Sequence, residues 1–172
     1  MSVGAPLANY AASRRAGDFV FLSGVIAVDP QTRRGIDSFA QLGADARLEL
    51  ATLGYDTGQM SVDVFEAPIA AQTWFVLDRI RSTARENGGS LDDVVRLVQY
   101  FRDLRDYPEY NRVRGLFFPK PVVSTVVEVS RMLPGDSVVV EVEATLYIPQ
   151  RSARAPQSSR SGKRSSGRSS SA

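Results

Sequence analysis

Glu141 and Glu143 stand two residues apart in Val140-Glu141-Val142-Glu143-Ala144, a run in which apolar and charged residues alternate. In an extended strand the side chains at i and i+2 share a face, so both carboxylates project from one side, roughly 7 Å apart. If that side is shielded from water, each acid raises the other's proton affinity, as a proton-transfer site near neutral pH requires. The same alternation also fits the solvated outer face of a one-sided sheet. Few other groups are available for chemistry, because the chain has no cysteine and no histidine. Thiolate nucleophiles, disulfides, thiolate metal sites and the commonest general base are thereby removed. Glu, Asp, Tyr, Ser, Thr, Arg, backbone amides and water must do the work. Gly88-Gly89 lies in neither a phosphate loop nor a dinucleotide fingerprint. No metal and no cofactor is expected.

The strand that carries the acids has a second, apolar row: Val138, Val140, Val142, Ala144, Leu146 and Ile148. Val122 to Val129 is another β-rich run, and Leu133-Pro134-Gly135-Asp136 reads as the turn between them, which predicts that the two runs pair directly. Tyr10–Arg15 and Phe19–Ser23 read as two strands about a tight turn at Ala16-Gly17-Asp18. Ile69, Thr73, Leu77, Ile80 and Ala84 follow helical spacing from Ala67 to Asn87, with Pro68 in the first turn and Gly88-Gly89 past the end. Trp74, the only tryptophan, lies on this helix and is read as packing rather than as a ligand platform. Val94–Phe101 is rich in β-branched and aromatic residues and reads as a strand. Asp106 is the expected N-cap, with Glu109 three residues on, of a short helix reaching Phe118 and ended by Pro119 and Pro121. This order predicts an α+β layer, one sheet with two main helices on one face.

Between Asp29 and Glu66 lies a long insert in which Phe39, Leu42, Ala46 and Leu50 carry helical spacing. Because it follows the Ser23-Gly24 strand end, it is expected to narrow or cover the site, and connections of that length often do so. At 172 residues and 43% hydrophobic content the chain supports one ordinary domain, residues 1–150, with this insert at about 29–66. No apolar run approaches the ~20 residues that span a bilayer, and the N-terminus lacks the basic and apolar segments of an export signal. The reading is a cytoplasmic protein with no membrane partner. The net charge of +2 is misleading: residues 151–172 hold six basic residues and no acid, which leaves 15 basic against 19 acidic residues, or −4, in residues 1–150. That Ser/Arg-rich tail is expected to be disordered, with at most weak contacts to nucleic acid.

Several ordered motifs resemble the Rid (YjgF) family of reactive-intermediate deaminases. They are Tyr10 with Gly17, Phe21-Leu22-Ser23-Gly24, Gly88-Gly89-Ser90-Leu91-Asp92-Asp93-Val94-Val95, and Asp103-Leu104-Arg105-Asp106-Tyr107 through Asn111. Phe117-Phe118-Pro119, Ser124-Thr125-Val126 and Glu141-Val142-Glu143-Ala144 complete the set. The resemblance spans about residues 5–150 apart from the insert. It implies a chorismate-mutase-like fold, a homotrimer that closes its sheets into a barrel, and ligand clefts between subunits. It also implies hydrolysis of small imine or enamine acids to a 2-keto acid and ammonia. Glu141 matches the glutamate that positions water, Tyr10 the site tyrosine, Ser23 and Gly24 the strand end that holds ligand, and Asn111 the helix asparagine. Ser124 and Thr125 match the strand beside the substrate.

One departure matters. The family's carboxylate-gripping arginine falls directly before the Ser-Thr pair, and here that position is Val123. A guanidinium offers a bidentate fork to a carboxylate, whereas valine offers only an apolar wall. Arg114, one turn after Asn111, is the first candidate substitute, and Lys120 the second. Two readings therefore stay open. One is a divergent deaminase or hydrolase of imine, enamine or aminomuconate-like metabolites in which Glu141 activates water. The other is a non-catalytic trimer that binds small metabolites in the same clefts.

Overall fold

The computed structural model describes residues 9–55, 57, 59 and 68–150. The expectations for the tail and for most of the stretch 56–67 lie outside those residues. Strands β1 (Ser13–Ala16) and β2 (Phe19–Leu22) form a hairpin whose turn needs a left-handed residue, and Gly17 supplies it with φ +61°. The other elements are β3 (Val25–Ile26), α1 (Ala44–Ala51), α2 (Pro68–Glu86), β4 (Val94–Phe101), α3 (Tyr107–Phe117), β5 (Val123–Glu128) and β6 (Val140–Tyr147). One mixed sheet runs β1-β2-β6-β4-β5, with β3 pairing β6 beyond the end of β2. The architecture is the expected α+β layer, with α2 and α3 on one face of the sheet.

The β5 and β6 runs are not neighbours. β4 lies between them, antiparallel to β6 and parallel to β5, and α3 is the crossover from β4 to β5. A parallel pair needs such a crossover, and β4, buried on the helix side at Leu97, Gln99 and Phe101, takes the central place. The expected direct pairing of residues 122–129 with 138–148 is thus corrected.

On the helix side, Val140, Val142, Ala144 and Leu146 of β6 meet Ile69, Leu77, Ile80 and Ala84 of α2 in one core. Each fully buried Leu, Ile or Phe there contributes ~1.5–3 kcal/mol. Gln72 fastens helix to strand: it is fully buried, its amide nitrogen donates to the Ser137 carbonyl (2.6 Å), and its oxygen accepts from Val139 N–H (3.0 Å). These two bonds set the entry of β6 and hence the register of its acids. Asp106 makes no cap with its side chain; instead Asp103 accepts from Arg105 N–H (2.9 Å) and caps the 3-10 turn Leu104–Asp106 that leads into α3. Asp106 thus stands at the expected N-cap position, but one 3-10 turn precedes α3 and the side-chain capping bond falls three residues back, at Asp103.

The described part of the insert also differs from expectation. Ile36, Phe39, Leu42, Ala46, Leu50 and Tyr55 are buried in the helix-side core. Glu49 accepts from the Trp74 indole (2.8 Å), and Arg112 of α3 donates to the Leu53 carbonyl (2.7 Å) and the Tyr55 hydroxyl (3.2 Å). Helix α1 with its preceding turn therefore covers α2 and α3 and is no lid over the acids. Its own apolar spacing is the cause, because a buried stripe must find the core. Among the described residues no helix is long and apolar enough to cross a membrane.

Candidate functional site

The sheet face turned away from the helices carries the polar row of β6. Strand register sorts this face into rungs. Phe21 of β2, Thr145 of β6, Arg96 of β4 and Val123 of β5 form one rung; Glu143, Val98 and Thr125 form the next; Ile26, Glu141, Tyr100 and Val127 form the third. Phe19 and Tyr147 pair beyond the first, with ring centroids 5.3 Å apart.

Ser23 and Gly24 fill the gap where β2 ends and β3 begins. From Phe21 to Val25 the chain advances four residues while its partner on β6 moves three, from Thr145 to Val142, so one extra residue is inserted as a bulge. Ser23 is pinned there: its N–H donates to the Ala12 carbonyl (3.1 Å) and its hydroxyl to the Ala11 carbonyl (2.7 Å). Glu141 lies against the bulge so closely that a β-carbon on Gly24 would overlap its Oε1 and stand 2.8 Å from its Cδ. Gly24 is thus required by close approach rather than by its backbone angle.

Burial raises the Glu141 pKa above its usual 4.5, and the neighbouring Glu143 charge adds to the effect. Among the described residues the Glu141 carboxylate takes no hydrogen bond, which leaves its oxygens available to water. Glu143 is engaged, accepting from the Tyr100 hydroxyl at 3.2 Å. Burial of Tyr100, with the charge of Glu143 beside it, pushes the phenol pKa up and keeps it a donor.

A cavity of about 460 Å³ opens on this face, lined by Phe21, Ser23, Gly24, Arg96, Glu143 and Thr145 among others. Glu143 and not Glu141 lines it, and Gly24 is the residue that touches both. Of the residues singled out in the sequence, Ser23 and Gly24 belong to the cavity and Glu141 adjoins it. Val123 and Thr125 share the face on β5, Val123 at 68% exposure, while Ser124 alternates to the other side, opposite Leu97. Tyr10 is exposed ahead of β1. Asn111 and Arg114 do not join these residues within one chain. They sit on α3, behind the sheet, where Arg114 donates to Asn111 Oδ1 (3.0 Å). Arg96 and Tyr100 are not singled out by the sequence, and Thr145 only as a member of the row that carries Glu141 and Glu143. The available signal was a cation on the polar row of an otherwise apolar strand, Val94-Val95-Arg96-Leu97-Val98-Gln99-Tyr100.

An α+β layer with a bulged strand end against a paired-acid strand defines the class, and comparison with known proteins agrees with it. The profile of the family described as Endoribonuclease L-PSP matches residues 48–148. A RutC family protein of Pyrococcus abyssi is 30% identical over 143 residues, covering 83% of this chain and 88% of that protein. The 3-aminoacrylate deaminase RutC of Acinetobacter baylyi is 30% identical over 115 residues, 67% of this chain and 68% of that one. A solved structure of a putative endoribonuclease from Klebsiella pneumoniae is 48% identical with a TM-score of 0.69, covering 81% of this chain and all (100%) of the other. RidA from an Antarctic Psychrobacter is 25% identical with a TM-score of 0.62, covering 86% of this chain and 94% of that chain. The chain belongs to the Rid (YjgF) family, which includes the RutC proteins.

Proposed function

We propose that the protein is a deaminase that hydrolyses small imine or enamine acids, with Glu141 as the base that positions and activates water. The observation that carries this reading is the Glu141 carboxylate itself, half-buried, free of hydrogen bonds, raised in proton affinity and lodged against Gly24 beside an open cavity. A base whose pKa approaches the working pH is the more effective proton acceptor. Water adds to the imine carbon as Glu141 takes one of its protons and passes it to the nitrogen; the hydroxyl of the resulting carbinolamine then gives its proton, again through Glu141, to the nitrogen as the C–N bond breaks, so that ammonia leaves and a carbonyl remains. The activity named for the Acinetobacter relative, on 3-aminoacrylate, belongs to this reaction class. The experiment is release of ammonia and 2-keto acid from 2-aminoacrylate generated in situ, and of ammonia from 3-aminoacrylate, by native protein and by Glu141→Gln. Loss of turnover in the variant is the expected result, and equal turnover by both proteins contradicts the assignment.

The assembly proposed with it is a homotrimer, in the cytoplasm, with ligand bound between subunits. Its support is the apolar content of the open sheet face: Phe19, Phe21, Val123, Val127 and Tyr147 are all exposed. Clefts between subunits would bring Asn111 and Arg114, which lie on α3 behind the sheet in their own chain, to the open face of another copy. The second reading, a trimer that binds metabolites without turning them over, is favoured by Val123, which puts a valine where the family resemblance implies an arginine. Binding of a keto acid with no hydrolysis of either imine would select it. An RNA-cleaving role is named for the matching family profile and for the Klebsiella structure, and in this chain the basic residues of the tail are its one further support.

A further inference from the structure

We propose that Arg96 is the carboxylate anchor of this protein, lining the cavity from β4 on the rung where Val123 of β5 offers only an apolar side chain. This rests on the reading above for its substrate class, a small monocarboxylate with an electrophilic carbon next to the charged group.

Register makes the first argument. Arg96 is paired with Val123 on one side and Thr145 on the other, so its Cα lies on the same rung as the valine and one strand nearer to β6. Direction makes the second. The Arg96 Nη2 lies 3.4 Å from Thr125 Oγ1, and Thr125 belongs to the next rung, with Val98 and Glu143. The guanidinium therefore leans one rung along the strand in the direction of Glu141, while its contact lies on the β5 side of β4, the side opposite β6. Its partners make the third argument. None of the ion pairs among the described residues involves Arg96, although Glu143 lines the same cavity. Apart from the long contact to Thr125 its donors are uncommitted, and a planar guanidinium with free donors matches the geometry of a carboxylate. Arg14 shares the first rung through Phe21, but it stands on the outer strand and does not line the cavity. A carboxylate held by Arg96 places the adjoining carbon over the second rung, between the anchor and the water held by Glu141 one rung beyond.

The test is the affinity of full-length protein for pyruvate, a product of the proposed reaction, and for its uncharged methyl ester. These are followed by protein NMR shifts or calorimetry in native protein, Arg96→Gln and Arg96→Lys. Arg96 is exposed, so neither variant is expected to disturb folding. Arg96→Gln should weaken pyruvate binding roughly 10- to 150-fold, the worth of a charge-assisted hydrogen-bond pair, and leave the ester unaffected. Arg96→Lys should fall between, because an ammonium keeps the charge and loses the fork. Val123→Arg in the Arg96→Gln background should restore binding. Equal pyruvate affinity in native protein and Arg96→Gln overturns the proposal, and so does native protein that binds no pyruvate. The deaminase reading stands or falls separately: pyruvate binding that depends on Arg96, with no imine turnover, keeps the anchor and removes the enzyme. Turnover that Glu141→Gln abolishes and Arg96→Gln leaves at the same KM removes the anchor and keeps the enzyme.

Discussion

The carboxylate of Glu141 lies over the bare α-carbon of Gly24, in space that any side chain at position 24 would take. One missing methyl group thus decides where the base can sit. The clash in Gly24→Ala falls on the far end of a flexible side chain, so Glu141 should swing aside at a cost of about 0.5–1.5 kcal/mol of rotamer strain rather than unfold the sheet. A displacement of ~1 Å in a reacting group costs about 100-fold in rate. Gly24→Ala should therefore keep most of its thermal stability in calorimetry while losing hydrolysis by about that factor.

Glu141 also couples activity and stability to pH in opposite directions. Its folded pKa is raised by burial, and by Glu143, above the usual 4.5 of a free glutamate. The fold therefore holds that proton more tightly than the unfolded chain does. The resulting stability is fully present below the unfolded pKa and is lost as pH rises through the folded one. Hydrolysis needs the ionised base and should rise over the same window. Glu141→Gln removes the penalty of the buried charge, so its Tm should exceed that of native protein near neutrality, with the difference vanishing below pH 4.5. A variant less stable than native at neutral pH would show that the carboxylate is held by interactions the geometry lacks.

Periodicity made α2 and β4 legible, because their patterns, Ile69-Thr73-Leu77-Ile80-Ala84 and Val94–Phe101, report local conformation. It also placed Glu141 and Glu143 on one face and opposite the buried valines. Neighbour relations were not legible in the same way. Alternation states which face a residue occupies and says nothing of which strand lies beside it, so β4 between β5 and β6 went unread. Arg96 was hidden for the same reason. Its nearness to Val123 is a cross-strand register 27 positions apart in sequence, created by the parallel pairing of β4 with β5. The family pattern led to Val123 and then to Arg114 on a helix, whereas the uncommitted guanidinium lies one strand away.

The open face predicts the assembly surface. Phe19, Phe21 and Tyr147 form an aromatic cluster at one end, with 5.3 Å between the rings of Phe19 and Tyr147 and 6.4 Å between those of Phe19 and Phe21. Phe21 is 49% exposed in the single chain. Phe21→Lys should shift native trimers toward monomers in sedimentation velocity, since a lysine buried at such a contact loses hydration without a partner. Native protein sedimenting as a monomer at micromolar concentration would remove the trimer and the shared clefts with it.

Val123→Arg in the otherwise native chain is a stricter test than the same change after Arg96 is lost. Position 123 pairs with Arg96 on a parallel neighbour, so the new guanidinium stands beside an existing one on the same face. Like charges opposed across strands destabilise, typically by ~0.2–1 kcal/mol, and a pyruvate carboxylate has room for a single bidentate fork. Val123→Arg alone should thus lower the Tm slightly and improve pyruvate affinity by less than it does in the Arg96→Gln background. The double-mutant cycle should show a coupling of roughly 0.5–3 kcal/mol, the range for residues that share one partner. Additive effects would mean that the two side chains serve different ligand atoms, and that Arg96 does not occupy the place valine left empty.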